Sequence, residues 1–537
     1  MVCFRRPFAL WRALSSTTLI ALPSLLLLIG AILTLVWRGP VRAWAAGALV
    51  VCLGAWVASL GAVRAVPGGL SLSIWRPETV FQDQIALVLD APGWSIGFGL
   101  VGLLLTVLLS GSPGSDPGGR RRTAGLLAFG TIGMVSIQAG NLLTLALSWT
   151  MLDLAALAYT SGLPTRGAGL FGPWGLLGNL TGTLLAAGAI LGLPAGSTGS
   201  DLADLAARPW PAALVLGGAA IRLAASLPMG SSVSEDREGA TAFLLLTPQA
   251  ACLAALGRIA LPVPDGLLAL LVIAGVLALG AGSVGWLAGG KPVSAPRLPY
   301  LGLGIAGIAA LSAAAAPDGS SVAWSAGGVM ILMAGCSSTL IRAGRRVRQA
   351  GLLLGALSIA GLPFTPGSLL ASALVPDSMD VGKLVLGSLG VVGMAVLGSG
   401  FRNEMAGSLE AKRGAPEGFI NARSVAALVL LMASLVGAYF FLARQTGPVS
   451  VVGPAVSLTV FALVSLARSR WPKLDMLRLG RTTRWLDPSP LLRVGGGAAG
   501  WLLRATRSVA DLLEGEAALL WIYVLVVALG VAATVGG

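Results

Sequence analysis

The chain has 537 residues, 55 % of them hydrophobic and only 11 % charged, with a mean hydropathy of +0.86. A soluble protein of this length cannot hide that much apolar surface, so lipid is its solvent and a soluble enzyme is excluded. The net charge of +14 comes from Lys and Arg in short loops between apolar runs, which fits the positive-inside rule and no nucleic-acid partner.

The N-terminal text "MVCFRRPFALWRALSSTTLIALPSLLLLIGAILTLVW" has a basic start and an apolar core like a signal peptide. Its apolar stretch is long enough to span and more spans follow, so a retained first transmembrane helix is expected. A bilayer core takes about twenty residues at about 1.5 Å each. Runs of that kind fall at 16–36, 43–63, 86–110, 123–139, 141–161, 168–193, 210–227, 239–260, 264–289, 298–316, 321–341, 349–375, 381–400, 422–443, 448–467 and 515–535. The expectation is an all-α polytopic membrane protein of about sixteen transmembrane helices. The 75 glycines suit close helix contacts in such a bundle.

Alternate connections are basic. They hold Arg38 and Arg42, Arg120 to Arg122, Arg166, Arg237, Lys291 and Arg297, Arg342 to Arg348, Arg402 to Arg423, and nine residues between 468 and 507. That set contains 26 of the 36 Lys and Arg, against 9 in the opposite set. The rule puts the basic loops in the cytoplasm, both termini outside, and the chain in a cell inner (plasma) membrane. The longest connection, 468–514, contains "WLLRATRSVADLLEGEAALLW". Leu502, Val509, Leu512 and Leu513 stand against Arg504, Arg507, Asp511 and Glu514, either a surface-lying amphipathic helix or a polar lead-in to the last span.

Cys3, Cys52, Cys252 and Cys336 show no paired spacing, and histidine is absent. No zinc, iron–sulfur or His-ligated haem site is expected, and no cofactor in this chain. "GLGIAG" at Gly302–Gly307 fits a dinucleotide fingerprint, yet it lies inside an apolar span and reads as small-residue helix packing. "NLT" at Asn179 is likewise inside a span, which argues against a glycosylation acceptor.

Charge inside the spans is scarce, and "NLLTLALSWTMLDLAALAYT" carries Asp153 near its middle. A carboxylate at that depth costs about 2.5 to 3.5 kcal/mol on insertion scales, so a partner on a neighbouring helix is expected. Arg222 also lies within a span. Two spans are proline-interrupted. The seventh ends at Pro228, and the twelfth, "LSIAGLPFTPGSLLASAL", holds Pro363 and Pro366. Breaks five spans apart point to two inverted five-helix repeats with a pathway at their interface. The resulting partition is 1–122, 123–260, 264–400 and 401–537.

The order of "IALVLDAPGW" with Asp90, "NLLTLALSWTMLDLAALAY", "LPMGSSVSEDREGATAFLLL", "GGKPVSAPRLPYLGLGIAGIAAL" and "LSIAGLPFTPGSLLASAL" resembles a known family. It is that of the antiporter-like membrane subunits shared by respiratory complex I, Mrp-type cation/proton antiporters and membrane-bound hydrogenases, over roughly residues 80–400. The resemblance implies a proton path through a Glu on the fifth helix, a Lys on the seventh, a Lys or His on the eighth, and a Lys or Glu on the twelfth. Here those positions fall on Thr150 with Asp153 three residues on, on or beside Arg222, near Pro248 and Gln249, and near Ala371. It also implies other membrane subunits as partners, with lipid around them and the redox groups on other chains.

Asp153 and Arg222 can then be read as the proton-handling pair or as a structural ion pair. Arg keeps its proton, so it can tune Asp153 but hardly relay. The reading is a membrane-arm subunit of a complex-I-like assembly that acts as scaffold with an incomplete path. The alternatives are an independent or Mrp-type cation/proton transporter using Asp153 and Arg222, and an unrelated multi-span carrier or lipid-handling protein.

Overall fold

The computed structural model describes residues 15–37, 39–72, 84–110, 118–161, 172–191, 193, 201–227, 238–259, 265–287, 297–340, 345–375, 380–410, 422–446 and 450–470. They hold sixteen α-helices. In chain order these are α1 Ser16–Val36, α2 Val41–Ala62, α3 Ala91–Ser110, α4 Gly118–Ile137, α5 Leu142–Ser161, α6 Gly172–Leu191, α7 Pro209–Ala225 and α8 Glu238–Leu256. The rest are α9 Asp265–Leu287, α10 Leu298–Ala315, α11 Ser320–Thr339, α12 Arg345–Ile359, α13 Pro366–Leu374, α14 Val381–Glu410, α15 Ala422–Thr446 and α16 Val452–Arg470.

Ten helices are long and apolar enough to cross a membrane, and α6, α7 and α16 are shorter apolar helices. The chain is a multi-pass membrane protein. With α4, whose first turn carries Arg120–Arg122, and the α12–α13 pair, every expected span up to residue 467 has its helix. The expected span 515–535, and all of the amphipathic connector beyond residue 470, lie outside the described residues. Helices α3, α8, α10 and α11 form the centre, with 83 to 89 % of their spanning windows buried against 28 % for α9. These central helices are apolar all round because protein covers every face.

Residues 86–89, expected to start the third span, are instead strand. The hairpin β1 (Gly68–Leu72) and β2 (Ile85–Leu89) is antiparallel, with Gly68 opposite Leu89 and Leu72 opposite Ile85. The α4–α5 turn continues its edge, through Val88 N–H to the Gln138 carbonyl (2.7 Å) and Gly140 N–H to the Ala86 carbonyl (2.9 Å). Asn141 caps α5 by accepting from Thr144 N–H (2.9 Å) and donates to the Gln84 carbonyl (2.6 Å). This hairpin end is opposite the basic connections, one of which is marked by Arg120 Nη1 donating to the Trp37 carbonyl (2.6 Å).

The twelfth span is broken where Pro363 and Pro366 predict. Gly361 takes φ +92°, Leu362 N–H bonds the Leu357 carbonyl (2.8 Å), and Gly361 N–H bonds the Ser358 carbonyl (3.1 Å). This Schellman closure satisfies carbonyls that lipid could not. Pro366 then opens α13 at a position that needs no donor. The seventh span, expected to break at Pro228, runs uninterrupted to Ala225 in its described part, and Pro228 lies outside the described residues. The proline inside a neighbouring helix is Pro248 of α8.

Candidate functional site

Arg222 projects from α7 and is fully buried, while the side chain of Asp153, midway along α5, keeps 19 % exposure. The pair is bidentate. Nη1 donates to Oδ2 at 2.7 Å and Nη2 to Oδ1 at 2.8 Å, the fork geometry that fits a guanidinium to a carboxylate. Nη1 is also within bonding distance of Thr183 Oγ1 (2.6 Å) and the Asn179 carbonyl (2.9 Å), both on α6. The guanidinium carbon lies 4.7 Å from the Trp149 ring centroid on α5. Thr183 completes the set by donating to the Asn179 carbonyl at 3.0 Å.

Glycine makes this approach possible. A Cβ on Gly182 of α6 would meet the Arg222 stem, and one on Gly218 of α7 would stand 2.6 Å from the Gly182 carbonyl. The two backbones therefore touch where the charge crosses, as small-residue contacts in membranes allow. Asn179 is 2 % exposed, which keeps it from glycan transfer. Arg222 Nε, Trp149 Nε1 and Asn179 Oδ1 have no protein partner among the described residues.

The other expected positions fare differently. Thr150 is exposed and its hydroxyl donates to the Ala146 carbonyl (2.8 Å), so it stands apart from the pair. Gln249 on α8 is fully buried. Its Nε2 donates to the Pro299 carbonyl (3.1 Å) and, more weakly, to that of Leu223 (3.4 Å), which links α7 and α8 to the start of α10. Ala371, at the twelfth-span position, is a buried apolar contact. The charged side chains buried among the described residues are Arg222, Arg258 and Arg348, all arginines that hold their proton.

Gln249 Oε1 is pressed against Gly302 of α10, where a Cβ would collide with it. Gly302→Ala is therefore expected to cost about 1–3 kcal/mol through overpacking. Thermal unfolding in detergent checks this, and pairing it with Gln249→Ala should recover most of the loss. The "GLGIAG" stretch is thus a packing motif, as its place in a span foretold.

Arg258 was not singled out by sequence. It follows α8 at the hairpin end, and Nε and Nη2 bind Asp90 Oδ2 and Oδ1, both at 2.8 Å. Nη1 donates to the Ala139 carbonyl (3.1 Å) and Nη2 to that of Val88 (3.3 Å). Asp90 in turn accepts from Gly93 N–H (2.7 Å) and caps α3, where the helix dipole favours a carboxylate. This pair pins α8 to β2, α3 and the α4–α5 turn. It borders a polar cavity of about 400 Å³ that also touches Asp201, Asp318 and Ser320. Partial burial pushes the Asp201 carboxyl above its ordinary value, with a smaller push from the charge of Asp204. Among the described residues no group of three or more His, Cys, Asp and Glu could hold a metal ion.

No protein-family model matches the sequence, and no curated protein matches it. Solved structures do. A chain of the Mrp complex from Dietzia sp. DQ12-45-1b matches with a TM-score of 0.67 at 16 % identity, over 96 % of this chain and 63 % of that one. This chain thus spans less than two thirds of that relative's length. Two further matches cover 83 % of this chain and 99 % of the other: one in the archaeal respiratory complex named membrane-bound sulfane sulfur reductase (TM-score 0.58, 15 % identity), and one in respiratory complex I from Thermus thermophilus (TM-score 0.59, 20 % identity). The chain has their fold. At these identities the likeness is one of architecture, and it agrees with the resemblance to antiporter-like membrane subunits drawn from the motifs. All three matched structures are of complexes, two of them respiratory.

Proposed function

We propose that this chain is a membrane-arm subunit of a redox-driven, complex-I-like assembly, in which it supplies frame and contact surface rather than a complete proton path. The observation that carries this reading is the bidentate Asp153–Arg222 pair. A relay needs groups that gain and lose protons near neutral pH, as a buried Lys does and Arg does not. Arg222 donates to both oxygens of its partner. Beyond it, Gln249 and Ala371 stand where the path would continue, and neither titrates. The two inverted five-helix repeats and a cytoplasmic location of the basic end belong to the same proposal.

Purification from native membranes in mild detergent, with identification of every accompanying chain, tests it. Co-purification with iron–sulfur or quinone-reactive subunits is the expected result. A chain that travels alone would overturn the subunit reading.

One observation favours the second reading, a cation or proton transporter. Asp153 is half-buried rather than sealed, on the flank of α5 beside the exposed Met151 and Leu154. If it takes up protons from that side, Asp153→Asn abolishes flux in liposomes while the chain stays folded.

A further inference from the structure

The polar cavity at the hairpin end takes no part in the function read above. Four segments supply its charge and polarity: Asp90 after β2, Arg258 after α8, Asp201 ahead of α7, and Asp318 with Ser320 at the start of α11. Arg258 is engaged by Asp90 and by the Ala139 and Val88 carbonyls. Asp201 and Asp318 stand exposed on the rim, and neither side chain has a hydrogen bond or ion pair among the described residues. The cavity therefore holds two negative charges without a counter-ion. Burial and then the charge of Asp204 push the Asp201 carboxyl up, with no cation to pull it back.

Ser320 gives an independent sign of a ligand. It is 5 % exposed and lines the cavity, yet its hydroxyl has no hydrogen-bond partner among the described residues. A hydroxyl buried to that degree is normally bonded, so its partner is expected from inside the cavity.

Chemistry narrows the choice. A bare metal ion needs oxygens converged on a point, and no three His, Cys, Asp and Glu do so among the described residues. A phospholipid amine carries a phosphate with it, which Asp201, Asp204 and Asp318 would repel. The ammonium of a lysine side chain brings donors alone. Its three donors diverge to acceptors on different segments, whereas the planar fork of Arg matches one carboxylate.

We propose that a lysine of a neighbouring subunit inserts its ammonium here, between Asp201 and Asp318 and against the Ser320 hydroxyl. The proposal rests on the subunit reading above and names a contact through which the assembly holds this chain.

The test is carbodiimide coupling of the intact assembly in mild detergent, which joins a carboxylate to a lysine it touches, followed by mass spectrometry of the peptides. The expected product links Asp201 or Asp318 to a lysine of an accompanying chain. The double variant Asp201→Asn, Asp318→Asn should also lower retention of that chain through a salt wash roughly tenfold. Asp204→Asn, off the cavity lining, should leave retention unchanged. The coupling is read on wild type, so it decides the matter even if the double variant fails to fold. Accompanying chains with no lysine coupled to either carboxylate would overturn the docking contact and leave the subunit reading standing. A lipid amine coupled there instead would overturn it as well. A chain that travels alone would overturn both.

Discussion

Asp153→Leu is expected to cost about 3–5 kcal/mol of stability, because it strands the Arg222 guanidinium in a site with no access to water. The wreckage is asymmetric. Arg222→Met leaves behind an Asp153 side chain that keeps 19 % exposure, against full burial for Arg222, so its cost should be smaller. The double variant, Asp153→Leu with Arg222→Met, replaces the pair by apolar groups of similar bulk and should recover most of the loss. Thermal unfolding of the four proteins in one detergent measures the coupling. Additive losses would mean that the ion pair is not what holds α5, α6 and α7 together.

Arg258→Ala should be the second most damaging change, at about 2–4 kcal/mol, through a different part of the fold. It removes four hydrogen bonds at once and leaves the Ala139 and Val88 carbonyls without this donor. Asp90→Asn should cost less, since an amide still caps α3 and can still accept one bond from Arg258. The expected signature is local. Hydrogen exchange should rise in the hairpin and the α4–α5 turn while α12 and α13 stay protected. Uniform loss of protection would contradict the clamp assigned to this residue.

Those two arginines show what a sequence makes legible. Arg222 stands out because it lies well inside an apolar run, and an intramembrane charge demands a partner. Asp153 was the evident one. Arg258 carried no such signal. It sits two residues from the end of the expected span 239–260, where a basic residue is read with the loop that follows, and its partner lies 168 positions away. Asp90 stands in the sequence only within the resembling stretch "IALVLDAPGW", which says nothing of a bond to Arg258. The α12–α13 break is legible from Pro363 and Pro366, because proline acts on the backbone locally.

The hairpin was not legible. "IALVL" is an apolar run that continues into α3, and periodicity cannot separate a short buried strand from the start of a helix. The ring around Arg222 escaped as well. Thr183 and Asn179 are ordinary polar residues in sequence, and they matter because Gly182 and Gly218 bring α6 against α7. Thr150 was a reasonable candidate by alignment of motif, but its helix turns it to the exposed face. Helical spacing puts residues on a side without saying what covers that side.

The most direct test of the central claim is ion flux through the intact assembly, reconstituted in liposomes, with wild type compared against the Asp153→Leu, Arg222→Met double variant. A frame subunit predicts equal proton and sodium flux per assembled complex. Loss of flux in a double variant that still folds and assembles would contradict the account and make Asp153 a working part of the ion path.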